Sequence, residues 1–122
     1  MDSFENSKPV YDLEERTFQF AKNVRLFVKK LPFTIANNED AKQVVRSSGS
    51  VGANYIEANE ALSKKDFLMK IKISRKESKE SAFFLRLICE TNSPEINTIG
   101  HELLDEAIQL KKILSAIIEK SK

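Results

Sequence analysis

Four long segments of the chain repeat their apolar residues at alternating steps of three and four, the spacing of one helix face. We predict helices over residues 12–31, 38–61, 64–90 and 94–120. The links are short, and only three glycines and three prolines interrupt 122 residues. Short links make consecutive helices antiparallel neighbours. The pattern therefore predicts an all-α fold, an antiparallel up-down-up-down four-helix bundle, as a single domain over 1–122.

The apolar repeat of the second helix passes through the glycines of RSSGSVGANYIEANEA, residues 46–61. One predicted face comprises Ala41, Val45, Ser48, Gly52, Ile56 and Asn59, flanked by Val44, Val51 and Tyr55. A glycine inside a helix costs about 1 kcal/mol relative to alanine, and close packing of a neighbouring helix usually compensates for it. We expect Ser48 and Gly52 to pack against the small residues Ser74, Ser78 and Ser81 of the third helix.

Residue types needed for catalysis or cofactor binding do not form a recognisable set. No Lys-Ser or Lys-Thr follows Gly49 and Gly52, and neither phosphate-binding glycine pattern is present. The single histidine, His101, has no glutamate three residues before it, as a carboxylate-bridged metal bundle would require. Cys89 lies among apolar residues, as a small core residue does. We expect no enzyme activity, no metal and no cofactor.

The third helix concentrates positive charge. Ser63–Cys89 contains eight basic and three acidic residues, a net charge of +5, whereas the whole chain carries +2. Four of the basic residues recur every seventh position, and two more border them; together these six form the basic stripe: Lys65, Lys72, Lys79, Arg86, Arg75 and Lys76. Such a stripe suits contact with nucleic-acid phosphates, although a solvated helix face has the same composition.

A second group of apolar residues lies beside the basic stripe. We call Met69, Ile73, Phe84 and Leu87 the apolar strip. A monomeric bundle uses one apolar side of each helix, so the apolar strip indicates a subunit interface, unless the core is simply wide. Phe83 lies among the basic residues, where base stacking is a weaker alternative.

Polar residues of the second helix, Arg46, Asn54 and Glu57, project from related sides. A hydrogen-bonded network at a helix or subunit contact is the favoured interpretation, and a ligand site is the alternative.

Residues Arg46–Ile88 resemble the four-helix-bundle proteins encoded in intervening sequences of bacterial 23S ribosomal RNA genes. The resemblance depends on these elements: Arg46, the Ser-x-x-Ala-Asn element from Ser50 to Asn54, Glu57, the link Lys64–Phe67 and the stretch Lys76–Ser81. Many members have Glu-Gly where this chain has Glu57-Ala58, as one branch of the family does.

The resemblance implies a left-handed bundle that assembles into a homopentamer. It also extends to the accessory protein of diversity-generating retroelements, a basic pentameric bundle that binds nucleic acid and a reverse transcriptase. Neither implies catalytic residues.

These observations predict a non-enzymatic, oligomeric bundle that binds RNA or DNA through the basic stripe, with a protein partner also open. The alternative is a protein-interaction or scaffold module that binds no nucleic acid. One cysteine, a polar start at Asp2–Lys8 and the lack of a membrane-length apolar run suit a cytoplasmic protein without membrane contact.

Overall fold

The computed structural model describes residues 12–122, which form four helices: α1 (Leu13–Val28), α2 (Ile35–Asn59), α3 (Lys64–Glu90) and α4 (Pro94–Lys120). No β-strand occurs in this part of the chain. The predicted all-α class is therefore confirmed. The first eleven residues, including the polar start, lie outside the described residues.

Side-chain caps decide where the helices begin. The capping residues are Asp12, Thr34, Ser63 and Ser93, and each accepts a hydrogen bond from the backbone N–H three residues later. The Thr34 hydroxyl accepts from Asn37 N at 3.0 Å. This cap starts α2 at Ile35, three residues before the predicted position 38.

The end of α1 also differs from the prediction, because the helix stops at Val28 rather than at residue 31. Lys30 N donates to Phe27 O at 2.9 Å and Leu31 N to Val28 O at 3.2 Å. These are bonds to the third residue back, so the chain tightens into a turn before Pro32.

The core is shared by all four helices, each of which packs against the next, and α1 also packs against α4. Its largest fully buried side chains include Phe20, Phe27, Val44, Val51, Ile71, Leu85, Ile88, Leu110 and Leu114. Along the α2–α3 seam, Ser47 Oγ lies 2.8 Å from Ser81 Oγ, and Ser74 Oγ donates to Val51 O at 2.7 Å. Contact partners thus run in opposite order along these two helices.

The buried face of α2 is the one predicted to flank the core. Val44, Val51 and Ala58 are buried, whereas Ile56 is 47% exposed. The predicted face was wrong by part of a turn, because Gly52 within it packs against α1 rather than the centre of the bundle.

Gly52 packs against α1, and the prediction that it meets α3 was wrong. A Cβ atom at Gly52 would lie 2.8 Å from Thr17 Oγ1 and 3.1 Å from Thr17 Cβ. Ser47 and Val51, rather than Gly52, contact the small residues of α3. The remaining predicted packing residues, Ser48, Ser74, Ser78 and Ser81, are all buried.

Gly100 marks a second close approach, where α1, α3 and α4 meet. A Cβ atom here would lie 2.5 Å from Cys89 Sγ and 3.0 Å from Phe27 Cζ. α4 continues through Gly100 without interruption, so this glycine permits packing rather than starting the helix.

Candidate nucleic-acid interface

The basic stripe lies on the side of α3 that faces away from the core. Ile71, Ser78 and Leu85 are buried on one side of the helix. Five of the six basic residues are exposed on the other side, and Arg75 is half-buried: Lys65, Lys72, Lys76, Lys79, Arg86 and Arg75. The heptad spacing therefore places Lys65, Lys72, Lys79 and Arg86 along one line of the exposed surface, with Lys76 and the half-buried Arg75 beside it.

Part of the basic stripe lines a shallow groove of about 500 Å³. Its walls are three lysines and three apolar residues: Lys65, Lys72, Lys76, Leu68, Met69 and Ile73. Two members of the apolar strip, Met69 and Ile73, thus share a surface with the lysines. A groove of this kind offers ammonium groups to phosphates and apolar atoms to the sugar or base.

Acidic neighbours compensate only part of this charge. Lys76 Nζ lies 3.7 Å from Glu77 Oε2, and Arg86 Nε lies 3.1 Å from Glu90 Oε2. Within residues 12–122, no carboxylate lies within 4.0 Å of the charged groups of Lys65, Lys72, Arg75 or Lys79. Among the described residues, no adjacent carboxylate offsets the charge of these four cations.

Arg46 bridges α2 to α3. Its Nη1 donates to Glu77 Oε1 at 3.3 Å, and its Nη2 donates to Glu80 Oε2. The hydrogen bond to Glu80 is the largest influence on the pKa of the Arg46 guanidinium, which is raised. Glu77 is only 6% exposed, so this pairing serves the α2–α3 seam.

The other family-motif residues do not form one side-chain network with the Arg46 guanidinium. Ser50 Oγ donates to Arg46 O at 3.1 Å, and Asn54 Nδ2 donates to Ser50 O at 2.9 Å, both within α2. Glu57 accepts from Lys70 Nζ at 2.8 Å, and that hydrogen bond raises the pKa of Lys70. The expected single network is instead two separate α2–α3 bridges and local backbone bonds.

Lys111 of α4 is a basic residue that was not predicted from the sequence. It lines a small groove with Lys79 on the seam between α3 and α4. Lys111 directly follows the buried Leu110 on α4. The positive charges of the fourth helix are the sequence signal that could have pointed to Lys111. The basic surface therefore extends from α3 towards α4.

A second surface that the sequence did not predict runs along the seam of α1 and α2. This α1–α2 groove has a volume of about 490 Å³ and includes Phe18, Leu26 and Ile56, which are about half exposed. Gly49 and Gly52 line it as well. The signal was the position of Phe18 and Leu26 off the main apolar face of α1.

The apolar strip is exposed only in part. Met69 is 52% exposed and Leu87 38%, whereas Ile73 and Phe84 are half-buried. Phe84 packs against the core. The strip is therefore two exposed side chains on a partly buried base rather than a continuous apolar face.

Groups with nucleophilic or metal-binding chemistry are few. Cys89 is buried, and desolvation raises the pKa of its thiol. Residues 12–122 contain no group of three or more His, Cys, Asp or Glu side chains placed to hold a metal ion. None of the four helices has the length and apolar character needed to cross a bilayer.

Comparison with known proteins agrees with this architecture. One solved structure, a protein of unknown function from the S23 ribosomal protein family of Bacteroides thetaiotaomicron VPI-5482, is 29% identical. The match covers 86% of this chain and 96% of that chain, with a TM-score of 0.71. No curated protein matches the sequence significantly. Residues 11–116 match the sequence profile of the 23S rRNA-intervening sequence proteins, and the chain therefore belongs to that family.

Proposed function

We propose that this protein is a non-enzymatic bundle that binds RNA or DNA through the basic stripe of α3. The observation that carries the proposal is the exposed line of cations in which four have no acidic partner among the described residues. Cations seven residues apart lie about 10 Å apart along a helix axis. They contact phosphates and position the strand without reading its sequence.

Oligomerisation would strengthen such a surface. We infer a cytoplasmic homo-oligomer, a pentamer by the family resemblance, in which Met69 and Leu87 contribute exposed apolar area. The opposite order of contacts along α2 and α3 supports an up-down-up-down arrangement of the helices. Several copies of a weak phosphate-binding patch raise the overall affinity through effective concentration.

Charge reversal within the basic stripe tests the proposal. The variant Lys72→Glu, Lys76→Glu, Lys79→Glu is compared with Lys22→Glu, Lys29→Glu, Lys30→Glu, an equal charge change at exposed positions of α1 and the turn after it. Fluorescence anisotropy with labelled RNA and DNA across a salt series measures affinity and its salt slope.

The stripe variant should bind at least about tenfold more weakly, and its log–log salt slope should shrink by about 0.7–0.9 for each phosphate that it no longer neutralises. The control should retain the wild-type slope. Equal weakening of both variants would show that overall charge, rather than the basic stripe, drives binding. Unchanged affinity in the stripe variant would refute the proposal.

The α1–α2 groove favours a second candidate function, a protein-interaction or scaffold module. Its exposed Phe18, Leu26 and Ile56 provide apolar area that nucleic-acid binding does not use. Binding of this kind depends weakly on salt. Absence of nucleic-acid binding at low salt, together with a partner that the Phe18→Ser variant no longer captures, would support this function instead.

A further inference from the structure

An exposed aromatic ring lies between the last two cations of the basic stripe. Phe83 is 58% exposed, four residues after Lys79 and three before Arg86. Residues at these spacings are neighbours on a helix surface. Both flanking side chains are exposed, so one large apolar ring has a cation on either side along the helix axis.

The Phe83 ring also contacts the ring of the next residue, Phe84. Its centroid lies 5.2 Å from that of Phe84, and the two ring planes meet at 84°. Phe84 packs against the core and is only partly exposed. This edge-to-face contact is a favourable aromatic geometry and leaves much of the Phe83 ring open to solvent. Single exposed apolar side chains are common on protein surfaces, and what distinguishes Phe83 is the exposed cation on either side of it.

A nucleic-acid base is the planar aromatic group that accompanies phosphates. Bases stack on exposed aromatic side chains, and any base presents a suitable face. A base inside a duplex is already stacked and paired, so it cannot cover Phe83 unless it leaves the helix. An unpaired base has no such cost.

We propose that Phe83 is a stacking platform and that the ligand class of the basic stripe is single-stranded nucleic acid. The ring takes one unpaired base, while Lys79 and Arg86 contact the phosphates on either side. To reach its phosphate, Arg86 exchanges its 3.1 Å contact with Glu90, which is exposed and therefore weak. This inference rests on the proposed function and adds to it that the bound nucleic acid is single-stranded.

The chain contains no tryptophan, so Phe83→Trp introduces a unique fluorescent reporter at the platform. Phe18→Trp is the matched control, because Phe18 is 59% exposed and lies on α1. Each variant is titrated at low salt with a 20-nucleotide oligo-U, an oligo-dT of the same length and a 20-base-pair DNA duplex. Anisotropy of labelled ligands measures binding independently.

Both single strands should quench the emission of the Phe83→Trp variant, and the duplex should not. The Phe18→Trp variant should show no change. Phe83→Ala should lower single-strand affinity about tenfold, the value of one stacked base, and change duplex affinity less than twofold. Quenching by only one of the two strands would identify RNA or DNA as the ligand within the same class.

Two results overturn the inference, and they separate it from the proposed function. Salt-dependent binding with no change in emission of the Phe83→Trp variant, or with equal quenching by the duplex, refutes the stacking platform and leaves the basic stripe as a phosphate-binding surface. Absence of binding to all three ligands at low salt refutes the proposed function and this inference together.

Discussion

The sharpest packing prediction concerns two glycines that occupy the same helix but meet different neighbours. A Cβ atom at Gly52 would lie 2.8 Å from Thr17 Oγ1 and 3.1 Å from Thr17 Cβ, both close to the α1 backbone. At Gly49 it would lie 3.3 Å from Nη2 of Arg25, the far end of a flexible side chain. We expect Gly52→Ala to destabilise the protein and Gly49→Ala to stabilise it.

The two substitutions share the same gain from helix propensity, about 1 kcal/mol for alanine over glycine. Gly52→Ala adds an overpacking cost of about 1–3 kcal/mol, since Thr17 is buried and cannot withdraw. Its net effect is a loss of about 0–2 kcal/mol. Arg25 can move, so Gly49→Ala keeps most of its gain. The difference in unfolding free energy between the variants is therefore about 1–3 kcal/mol.

Urea or thermal unfolding at one fixed protein concentration measures this difference, since assembly would otherwise shift the apparent stability. About 4 °C per kcal/mol is expected for a domain of this size. Thr17→Ala removes the 2.8 Å contact, so Gly52→Ala should cost less in that background. Equal stabilisation by the two glycine substitutions would refute the close approach of α1 and α2.

Two further predictions concern the Arg46–Glu77 bridge and the buried Cys89. Arg46→Ala should lower the unfolding free energy by about 1–2 kcal/mol, because the buried Glu77 then loses this hydrogen-bonding partner. Arg46→Lys cannot bridge two carboxylates in the same way, so it should restore less than half of the lost unfolding free energy. Urea unfolding of both variants measures these changes. Cys89 should react with a thiol reagent at pH 8 far more slowly in the folded chain than in urea, because burial raises its thiol pKa. Above pH 9.0, the ordinary pKa of a cysteine thiol, the unfolded chain loses the thiol proton of Cys89 while the folded chain still keeps it. The free energy of unfolding should therefore fall as the pH rises above 9.0. Comparing the pH dependence of unfolding with that of Cys89→Ala tests this, and rapid labelling without urea would contradict the buried position.

The sequence predicted the four helices found within residues 12–122. It also predicted both ends of the third and fourth helices, and their starts at Ser63 and Ser93-Pro94 are strong local signals. The start of α2 was misplaced because three possible capping residues compete there. Asn37 and Asn38 have suitable side chains, but Thr34 supplies the cap. Local sequence does not decide between these caps, because Asn37 is buried by contacts that exist only in the folded chain.

The orientation of α2 was harder to predict for a different reason. Val44–Val51–Ala58 and Ser48–Gly52–Ile56 are both spaced as helix faces, and both face a neighbouring helix or groove. Periodicity identifies faces but not which neighbour each one meets. Only the packed structure shows that the glycines approach α1.

Basic residues that lie on a single helix could be grouped from the sequence, whereas surfaces formed by two helices could not. The six residues of the basic stripe could be grouped because all of them lie on α3, where residue spacing alone determines which side chains are neighbours. Lys111 and the α1–α2 groove depend on which helices are adjacent, and that information is tertiary. Phe83 was noted from the sequence, but the proposal that it is a stacking platform needed its exposure and its contact with Phe84.

The weak seam between α1 and α4 has a consequence for how the chain folds. α2, α3 and α4 each pack along most of their length on the helix that follows or precedes them in sequence, and such near-neighbour contacts form quickly. The Arg16–Glu106 pair on the α1–α4 seam instead joins residues 90 positions apart, and closing so long a loop costs more chain entropy. We therefore expect the contacts between α1 and α4 to form last and to break first. The Arg16–Glu106 pair would then report the final step of folding rather than its nucleus.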